Sequence, residues 1–332
     1  MKISEHFKSL EIPKQGRKIF NAISLKDFPF AKVAKNNDGF PVILIESKID
    51  NTFLKQKNIR LKYLELNHNL ECKITENGKT DFANYSVITF KSDEDVLQSY
   101  YFGIVENLLK KLSKKPTQKE VFETFKGFIE VFRALSNSPK TTIQGLWSEL
   151  LLIESSKNPK VLVNYWHNRP EEKFDFNADT EKIEVKSSSN MERIHIFTSE
   201  QLNSSKEKKV LIASVFAKQS SNGNSISDLL NSILVSLNED SLIEKLYSIV
   251  NNTLGTSLEQ GLKIKFDYDI AKNSLRFYDS ELISKIEKIN IPNNVSEVKY
   301  KSDLTNIKPT DPMEIVSDKL LFKNLKNYTY KK

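Results

Sequence analysis

The sequence predicts an α+β protein: an N-terminal antiparallel β-domain with two long helices, then an α/β core with C-terminal helical and β-hairpin additions. Short alternating or apolar runs, separated by turn-forming residues, fill the first third of the chain, which is typical of antiparallel strands. Apolar residues then recur at helical spacing between positions 96 and 135. Beyond position 139, helix and strand patterns alternate, which favours a layered α/β arrangement. The 332 residues suffice for two separate cores.

The first predicted domain, residues 1–138, begins with a set of strands. Its apolar or alternating runs cover residues 42–45, 59–66, 70–74 and 85–90. Turn-prone stretches at 36–39 and 76–79, each with an Asn and a Gly, separate some of these runs. The pattern predicts an antiparallel β-domain.

Two long helices complete this domain. The apolar stripe of the first runs from Val96 to Leu112. The second follows Pro116, where Thr117 and Glu120 have the spacing of a capping box, and its apolar stripe runs to Leu135. The polar segment at 136–139 breaks the pattern, so we place the domain boundary there.

The predicted core spans residues 139–220 and reads as helix, three strands, helix and strand. The helix covers 143–153, and candidate strands at 161–166, 173–177 and 182–187 follow it. A run at 193–197 is expected to extend these strands or pair with them. Thr198 and Gln201 have capping-box spacing and open a short helix. The continuous apolar run at 210–216 is typical of a strand buried on both faces.

Residues 221–332 are predicted to complete the core domain with helices and a hairpin. The stretch 220–224 is polar and favours a loop, and helices are expected at 228–237 and 242–250. Alternation at 262–270 and again at 275–278 predicts the two strands of a hairpin. A last alternating piece lies at 298–300.

Composition narrows the class of protein. A hydrophobic content of 39% and a charged content of 28% are typical of a globular chain and exclude a disordered one. The net charge of +7 suits a polyanionic partner. The single Cys72 allows no disulfide within the chain and is expected to be a small buried apolar residue. The nine glycines form no phosphate-binding loop, which excludes ATP-driven chemistry.

The sequence also predicts the cellular location of the protein. The first residues lack the apolar core of a signal peptide. No apolar run approaches the length of a membrane span. We therefore expect a cytoplasmic location and no membrane partner.

The most informative motif is Phe174-Asp175-Phe176, followed by Glu184-Val185-Lys186. On two short strands, alternation directs Asp175, Glu184 and Lys186 to the face opposite the apolar neighbours. Two carboxylates in this position suit a hard divalent cation. A lysine beside them is suited to orient or deprotonate a water molecule. This residue set indicates metal-assisted hydrolysis of a phosphodiester.

With these residues, the chain resembles the PD-(D/E)xK nuclease superfamily. That signature has an acid on one strand and acid-x-Lys on the next, matched here by Asp175 and by Glu184 with Lys186. The helix glutamate of the superfamily corresponds to Glu149. The chain is most similar to a subfamily of bacterial proteins encoded in restriction and phage-defence clusters, on residues 145–151, 174–176, 184–187 and 195–202. It departs from the signature in having Phe174 where a proline often stands.

The resemblance implies a restriction-endonuclease-like core and a role for each residue. Asp175 and Glu184 would bind Mg²⁺, for which Mn²⁺ can substitute, with the backbone carbonyl of Val185 as a further ligand. Lys186 would hold a water molecule in line with the phosphate. Glu149 would take an outer role at the metal. Gln201 would contact the metal shell or a DNA phosphate, although it also fits the reciprocal member of a capping box.

The histidines leave one alternative open. His195 lies on a predicted strand beside these residues, where it fits either a phosphate contact or proton relay, or a histidine satisfied by a neighbouring group. His6, His68 and His167 are too scattered in the sequence to predict a zinc site with Cys72.

Two functions follow. The first is a Mg²⁺-dependent DNA endonuclease, the cleaving component of a restriction or antiphage system. The second is a non-catalytic DNA-binding or scaffold subunit of a defence complex that uses the same fold. Double-stranded DNA, other restriction or defence subunits and a second copy of the chain are the expected partners.

Overall fold

The structure is a computed structural model that describes residues 2–13, 20–48, 58–76, 79–134, 142–167, 172–205, 207–317 and 319–326. The chain forms two compact units, residues 1–138 and 139–332. The break predicted at 136–139 and the turn residues 77–78 lie outside the described residues. The separate status of 139–220 and 221–332 stays a prediction.

The first unit is built on one antiparallel sheet that follows a short helix, α1 (Ile3–Lys8). Its strands are β1 (Asn21–Leu25), β2 (Phe28–Lys35), β3 (Pro41–Glu46), β4 (Ile59–Arg60), β5 (Leu64–Glu76) and β6 (Lys79–Phe90). The spatial order is β1-β2-β3-β6-β5-β4, with every neighbouring pair antiparallel. The prediction of an antiparallel β-domain is confirmed.

The strand bounds differ from the prediction in two places. Residues 59–66 form two strands, because Leu61 N–H donates to Leu64 O at 2.7 Å and turns the chain between β4 and β5. The predicted run 70–74 is part of β5. Strands β1 and β2 are additional to those predicted. Pro29 of β2 lies beside a register shift, where a ladder hydrogen bond is not needed. Cys72 is half-buried rather than buried.

The two long helices are confirmed as α2 (Asp95–Lys111) and α3 (Gln118–Ala134). Their aromatic side chains form the core against the sheet. The rings of Phe90 and Tyr101 stack with centroids 4.7 Å apart, and Phe132 meets Phe90 edge-on at 5.6 Å. Thr117 caps α3 by accepting from Glu120 N–H at 3.2 Å, while the Glu120 carboxylate accepts from Ser113.

The second unit alternates helices and short strands. Its helices are α4 (Ile143–Glu154), α5 (Pro159–Tyr165), α6 (Ser199–Leu202), α7 (Ile226–Val235), α8 (Asp240–Leu254), α9 (Leu258–Lys263) and α10 (Tyr268–Ser274). Its strands are β7 (Phe176–Ala178), β8 (Glu181–Ser188), β9 (Ile194–Thr198), β10 (Lys209–Phe216), β11 (Gln219–Ser225), β12 (Lys265–Phe266), β13 (Arg276–Asp279) and β14 (Lys299–Asp303). Short 3₁₀ turns connect several of them.

A four-stranded mixed sheet in the order β13-β10-β8-β7 forms the centre of this unit. Strands β8 and β10 are parallel, and the register sets Ile212 opposite Glu184 and Ser214 opposite Lys186. Six consecutive residues of β10 are buried, as its apolar run predicted. Trp147 of α4 and Trp166 are buried almost completely, at 0% and 1% exposure. The helix at 143–153, the helices after residue 225 and the strands at 182–187 and 210–216 are confirmed.

One predicted strand is a helix. Residues 161–166 were predicted as a strand, but residues 159–165 form α5. Asn158 accepts from Lys160 N–H at 3.2 Å and Pro159 is the first helical residue, and together they favour a helix start. Burial of Leu162 and Val163 then fixes the helix in place.

The predicted hairpin at 262–278 is also wrong. Asp267 accepts from Ile270 N–H at 2.9 Å and starts α10, so only Lys265–Phe266 remain extended. Strand β13 pairs with β10 instead. The run predicted at 193–197 forms β9 and pairs with β14, the confirmed strand near 298–300.

The polar stretch predicted as a loop at 220–224 lies in strand β11, which pairs with β12. Gly223 makes this possible, since a Cβ there would lie 1.9 Å from the carbonyl oxygen of Phe266. Trp147 Nε1 donates to Asn224 O at 2.9 Å and ties the strand to α4. No helix in the described part of the chain has both the length and the apolar character to cross a membrane.

Gly223→Ala is expected to destabilise the second unit by about 1–3 kcal/mol, because the added methyl group forces β11 away from β12. Urea unfolding measures the change. Gly127→Ala, at an exposed position of α3, is the matched control: no side chain lies within 4 Å of its added Cβ, and it should stabilise the helix by about 0.5–1 kcal/mol. Equal stability of Gly223→Ala and wild type would contradict this account of β11.

Candidate active site

Asp175 lies in a bend before β7, not on the predicted strand at 173–177, because β7 begins only at Phe176. Two hydrogen bonds hold it. Its Oδ2 accepts from Val185 N–H on β8 at 2.7 Å, and its backbone carbonyl accepts from His167 N–H at 2.8 Å. Phe174 and Phe176 are buried on either side. The carboxylate is therefore fixed against the middle of β8.

Glu184 and Lys186 share one face of β8, as alternation predicted. Glu184 is buried, and its Oε1 accepts from Lys186 Nζ at 2.7 Å. Lys186 Nζ also lies over the ring of Phe197, 5.4 Å from its centroid. The lysine is thus held beside the carboxylate from two directions.

Gln201 joins this group from α6. Its Nε2 donates to Glu184 Oε1 at 2.6 Å, while its Oε1 accepts from Thr198 N–H at 3.1 Å. The side chain therefore forms the capping-box bond and contacts the acidic group at the same time. The side-chain amide of Gln201 thus connects the first turn of α6 to the Glu184 carboxylate.

Glu149 reaches the same region from α4 and is buried at 5% exposure. Its Oε2 accepts from Trp166 Nε1 at 2.7 Å and lies 3.5 Å from His167 Nε2. The buried carboxylate thus has a neutral donor and an imidazole beside it.

Burial and neighbouring charges shift the pKa values of Asp175 and Glu184. Burial raises the pKa of Asp175 well above its ordinary value, and the charges of Glu184 and Glu149 raise it further. The Val185 N–H and the Lys186 charge act in the opposite direction. Burial also raises the pKa of Glu184, partly offset by Lys186. The group has an excess of negative charge that a cation would offset.

The donor set suits a metal ion. One carboxylate oxygen each from Glu149 and Asp175 and a ring nitrogen of His167 lie within 4.8 Å of one another. Carboxylate oxygens suit Mg²⁺ and Mn²⁺, and an imidazole nitrogen suits transition metals such as Zn²⁺. Glu184 is not among these three residues, and the roles of Glu184 and of the Val185 carbonyl as metal ligands stay predictions.

His167 was missed by sequence reasoning. Its neighbours at 161–166 were read as a strand, which hid the fact that the chain leaves α5 and bridges Trp166 to Phe176. That bridge brings His167 N–H to the Asp175 carbonyl. A helix start recognised at Asn158-Pro159 would have been the available signal.

Of the two roles considered for His195, its contacts favour that of a histidine satisfied by a neighbouring group. Its Nε2 lies 2.8 Å from Ser214 Oγ, and the ring is buried. Burial, with the charges of Lys186 and Arg193, lowers the pKa of His195 to about 4. It is therefore neutral near pH 7 and satisfied by a neighbour.

A helix glutamate, an aspartate and a Glu-x-Lys strand thus lie together at a mixed sheet, which is the arrangement expected of a nuclease-like fold. The chain belongs to the family described as "Putative PD-(D/E)XK family member, (DUF4420)", whose profile matches residues 3–305. The match includes both units. Comparison with curated proteins and with solved structures gave no match.

Asp175→Asn is expected to stabilise the metal-free protein near pH 7 by on the order of 1 kcal/mol. Asp175 and Glu184 have pKa values above the ordinary 3.8 and 4.5, so the folded state binds protons more tightly than the unfolded state. The free energy of unfolding therefore falls as pH rises from these ordinary values through the raised ones. Asparagine does not ionise, so it removes the contribution of Asp175 to this pH dependence. Its side-chain oxygen still accepts from Val185 N–H.

Urea unfolding with a chelator from about pH 4 to about pH 8 measures this dependence. Asp269→Asn, at an exposed position of α10, is the matched control and should leave the slope unchanged. A slope in Asp175→Asn as steep as that of wild type would contradict the assignment of a raised pKa.

Proposed function

We propose that the protein is a Mg²⁺-dependent DNA endonuclease that hydrolyses phosphodiester bonds as the cleaving component of a restriction or antiphage system. The observation that carries this proposal is the convergence of Glu149, Asp175, Glu184 and Lys186 from a helix, a bend and a strand. Membership of a PD-(D/E)XK family supports the same chemistry. The net charge of +7 supports a polyanionic substrate.

Each residue has a role that its surroundings support. Asp175 and Glu184 would hold the cation, with Val185 O as a further ligand, and Glu149 and His167 would complete the donor set around Asp175. The cation, when bound, supplies Lewis-acid polarisation of the scissile phosphate and acidifies water. Lys186, 2.7 Å from Glu184, orients the attacking water and offsets charge developing on the phosphate. Gln201 fixes Glu184.

The proposal also includes the binding partners of the protein and its cellular location. Double-stranded DNA is the substrate, other restriction or defence subunits are partners, and the protein acts in the cytoplasm. A homodimer would supply two centres, one for each strand. Mn²⁺ should substitute for Mg²⁺, because the nitrogen of His167 suits a softer ion.

Lys186→Ala and Asp175→Ala should each lower the rate of supercoiled-plasmid nicking by about 10²-fold or more. They remove the group that orients water and the carboxylate that holds the cation. Lys265→Ala, at an exposed lysine of β12, is the matched control for lost positive charge and should cut like wild type. A chelator should stop the reaction, and Mg²⁺ should restore it.

Full nicking activity in both site variants would contradict the proposal. The non-catalytic alternative predicts a different pattern: DNA binding with steep salt dependence, and a defence complex that still cuts after Asp175→Ala.

His167→Ala is expected to weaken Mn²⁺ binding by about tenfold or more, with a smaller loss for Mg²⁺, because the imidazole prefers the softer ion. Isothermal titration calorimetry of each metal with the free protein measures both affinities. His6→Ala, in the other unit, is the matched control and should leave them unchanged. If His167→Ala binds both metals as tightly as wild type, His167 is not a metal ligand.

A further inference from the structure

A cavity of about 360 Å³ lies in the second unit, and two of its lining residues belong to segments that also carry residues of the candidate site. Phe174, the residue before Asp175, lines it, and so does Ser199, the first residue of α6. Consecutive Cα atoms are about 3.8 Å apart, so whatever enters the cavity lies close to the Asp175 backbone. The volume is near the lower end of ligand pockets, which suits a single small ligand unit.

Three lysines, Lys173, Lys208 and Lys288, line this cavity. Among the described residues, no carboxylate lies within ion-pair distance of any of these amines. Two carboxylates, Glu200 and Glu297, also line it, so cations exceed anions by one. That balance suits one phosphate group better than a polyphosphate chain.

A buried hydroxyl provides a second, independent sign of a ligand. Ser204 lines the cavity, and its Oγ is buried with no hydrogen-bond partner among the described residues. Such a group costs free energy unless something satisfies it. A phosphate oxygen in the cavity would accept this hydrogen bond.

Apolar residues form another part of the cavity lining. They are Ile291, Pro292, Val295, Val298 and Phe174. An apolar wall in the same cavity as lysines fits a molecule with a charged end and a flat, weakly polar end. A nucleotide has both, because its base stacks on apolar and aromatic surfaces while its phosphate binds cations.

We propose that this cavity binds one nucleotide, with its phosphate among Lys173, Lys208, Lys288 and Ser204 and its base against the apolar wall. The proposal rests on the proposed nuclease function, for which it names a substrate-binding site outside the acidic group. The cavity is too small for a base pair and its neighbours, so the nucleotide must be unpaired. It comes either from a DNA strand whose end or flipped base enters the cavity, or from a free mononucleotide.

Fluorescence anisotropy of the full chain in a chelator tests the site without any cleavage. One arm uses a labelled single-stranded oligonucleotide, and the other uses a deoxynucleoside 5′-monophosphate as competitor. The Lys208→Ala/Lys288→Ala double variant should weaken oligonucleotide binding about tenfold relative to a matched Lys263→Ala/Lys265→Ala control of the same net charge. Thermal unfolding checks that both variants are folded, which their exposed positions favour.

The outcomes separate the sources. Loss of oligonucleotide binding in the cavity variant, with competition by the mononucleotide, supports a nucleotide of the strand. Direct calorimetric binding of the mononucleotide that the cavity variant loses, with unchanged oligonucleotide binding, supports a free nucleotide. Equal affinities of cavity variant and control for both ligands would overturn the proposal.

The nicking assay keeps this inference distinct from the proposed function. If the wild-type protein cuts plasmid and the Lys208→Ala/Lys288→Ala variant binds both ligands as tightly as the control, the cavity proposal is wrong and the nuclease proposal is supported. If no plasmid is cut but the cavity variant loses nucleotide binding, the site stands and the nuclease fails.

Discussion

The hydrogen bond from Val185 N–H to Asp175 Oδ2 holds the acidic group together. Asp175 precedes β7, so no strand pleat determines where its side chain points. The 2.7 Å bond fixes the carboxylate to β8, the strand that also carries Glu184 and Lys186. The bend that contains Asp175 also receives His167 N–H and so brings the end of α5 to the same place. One backbone donor thus sets the position of groups from three parts of the chain.

Gathering these acids is unfavourable in the absence of a cation, and the surrounding fold offsets the cost. Trp166, Lys186 and Gln201 each donate to a carboxylate oxygen, so the buried oxygens are not left without partners. The apolar packing of α4 and β10 supplies stability that the acidic group lacks. Such a division is expected of functional sites, where local electrostatic strain is supported by the rest of the structure.

Sequence reasoning succeeded where one local rule was sufficient. Glu184 and Lys186 lie on a strand of eight residues, so period-two alternation placed them correctly. It failed where tertiary contacts decide. Val161 and Val163 suggested a strand, but Asn158 and Pro159 start a helix. The polar residues of β11 become a strand only because β12 is there to pair with them and Gly223 lets the backbones approach. His167 reaches the acids through a fold-level bridge that spacing does not reveal.

The double use of Gln201 restricts what can occupy that position. Glutamate would keep the acceptor for Thr198 N–H but lose the donor to Glu184, and it would add a fourth negative charge to the group. Lysine would keep a donor and lose the acceptor, while asparagine is shorter by one methylene. A replacement of Gln201 therefore requires a compensating change at position 184 or at the start of α6. These positions are expected to change together in evolution.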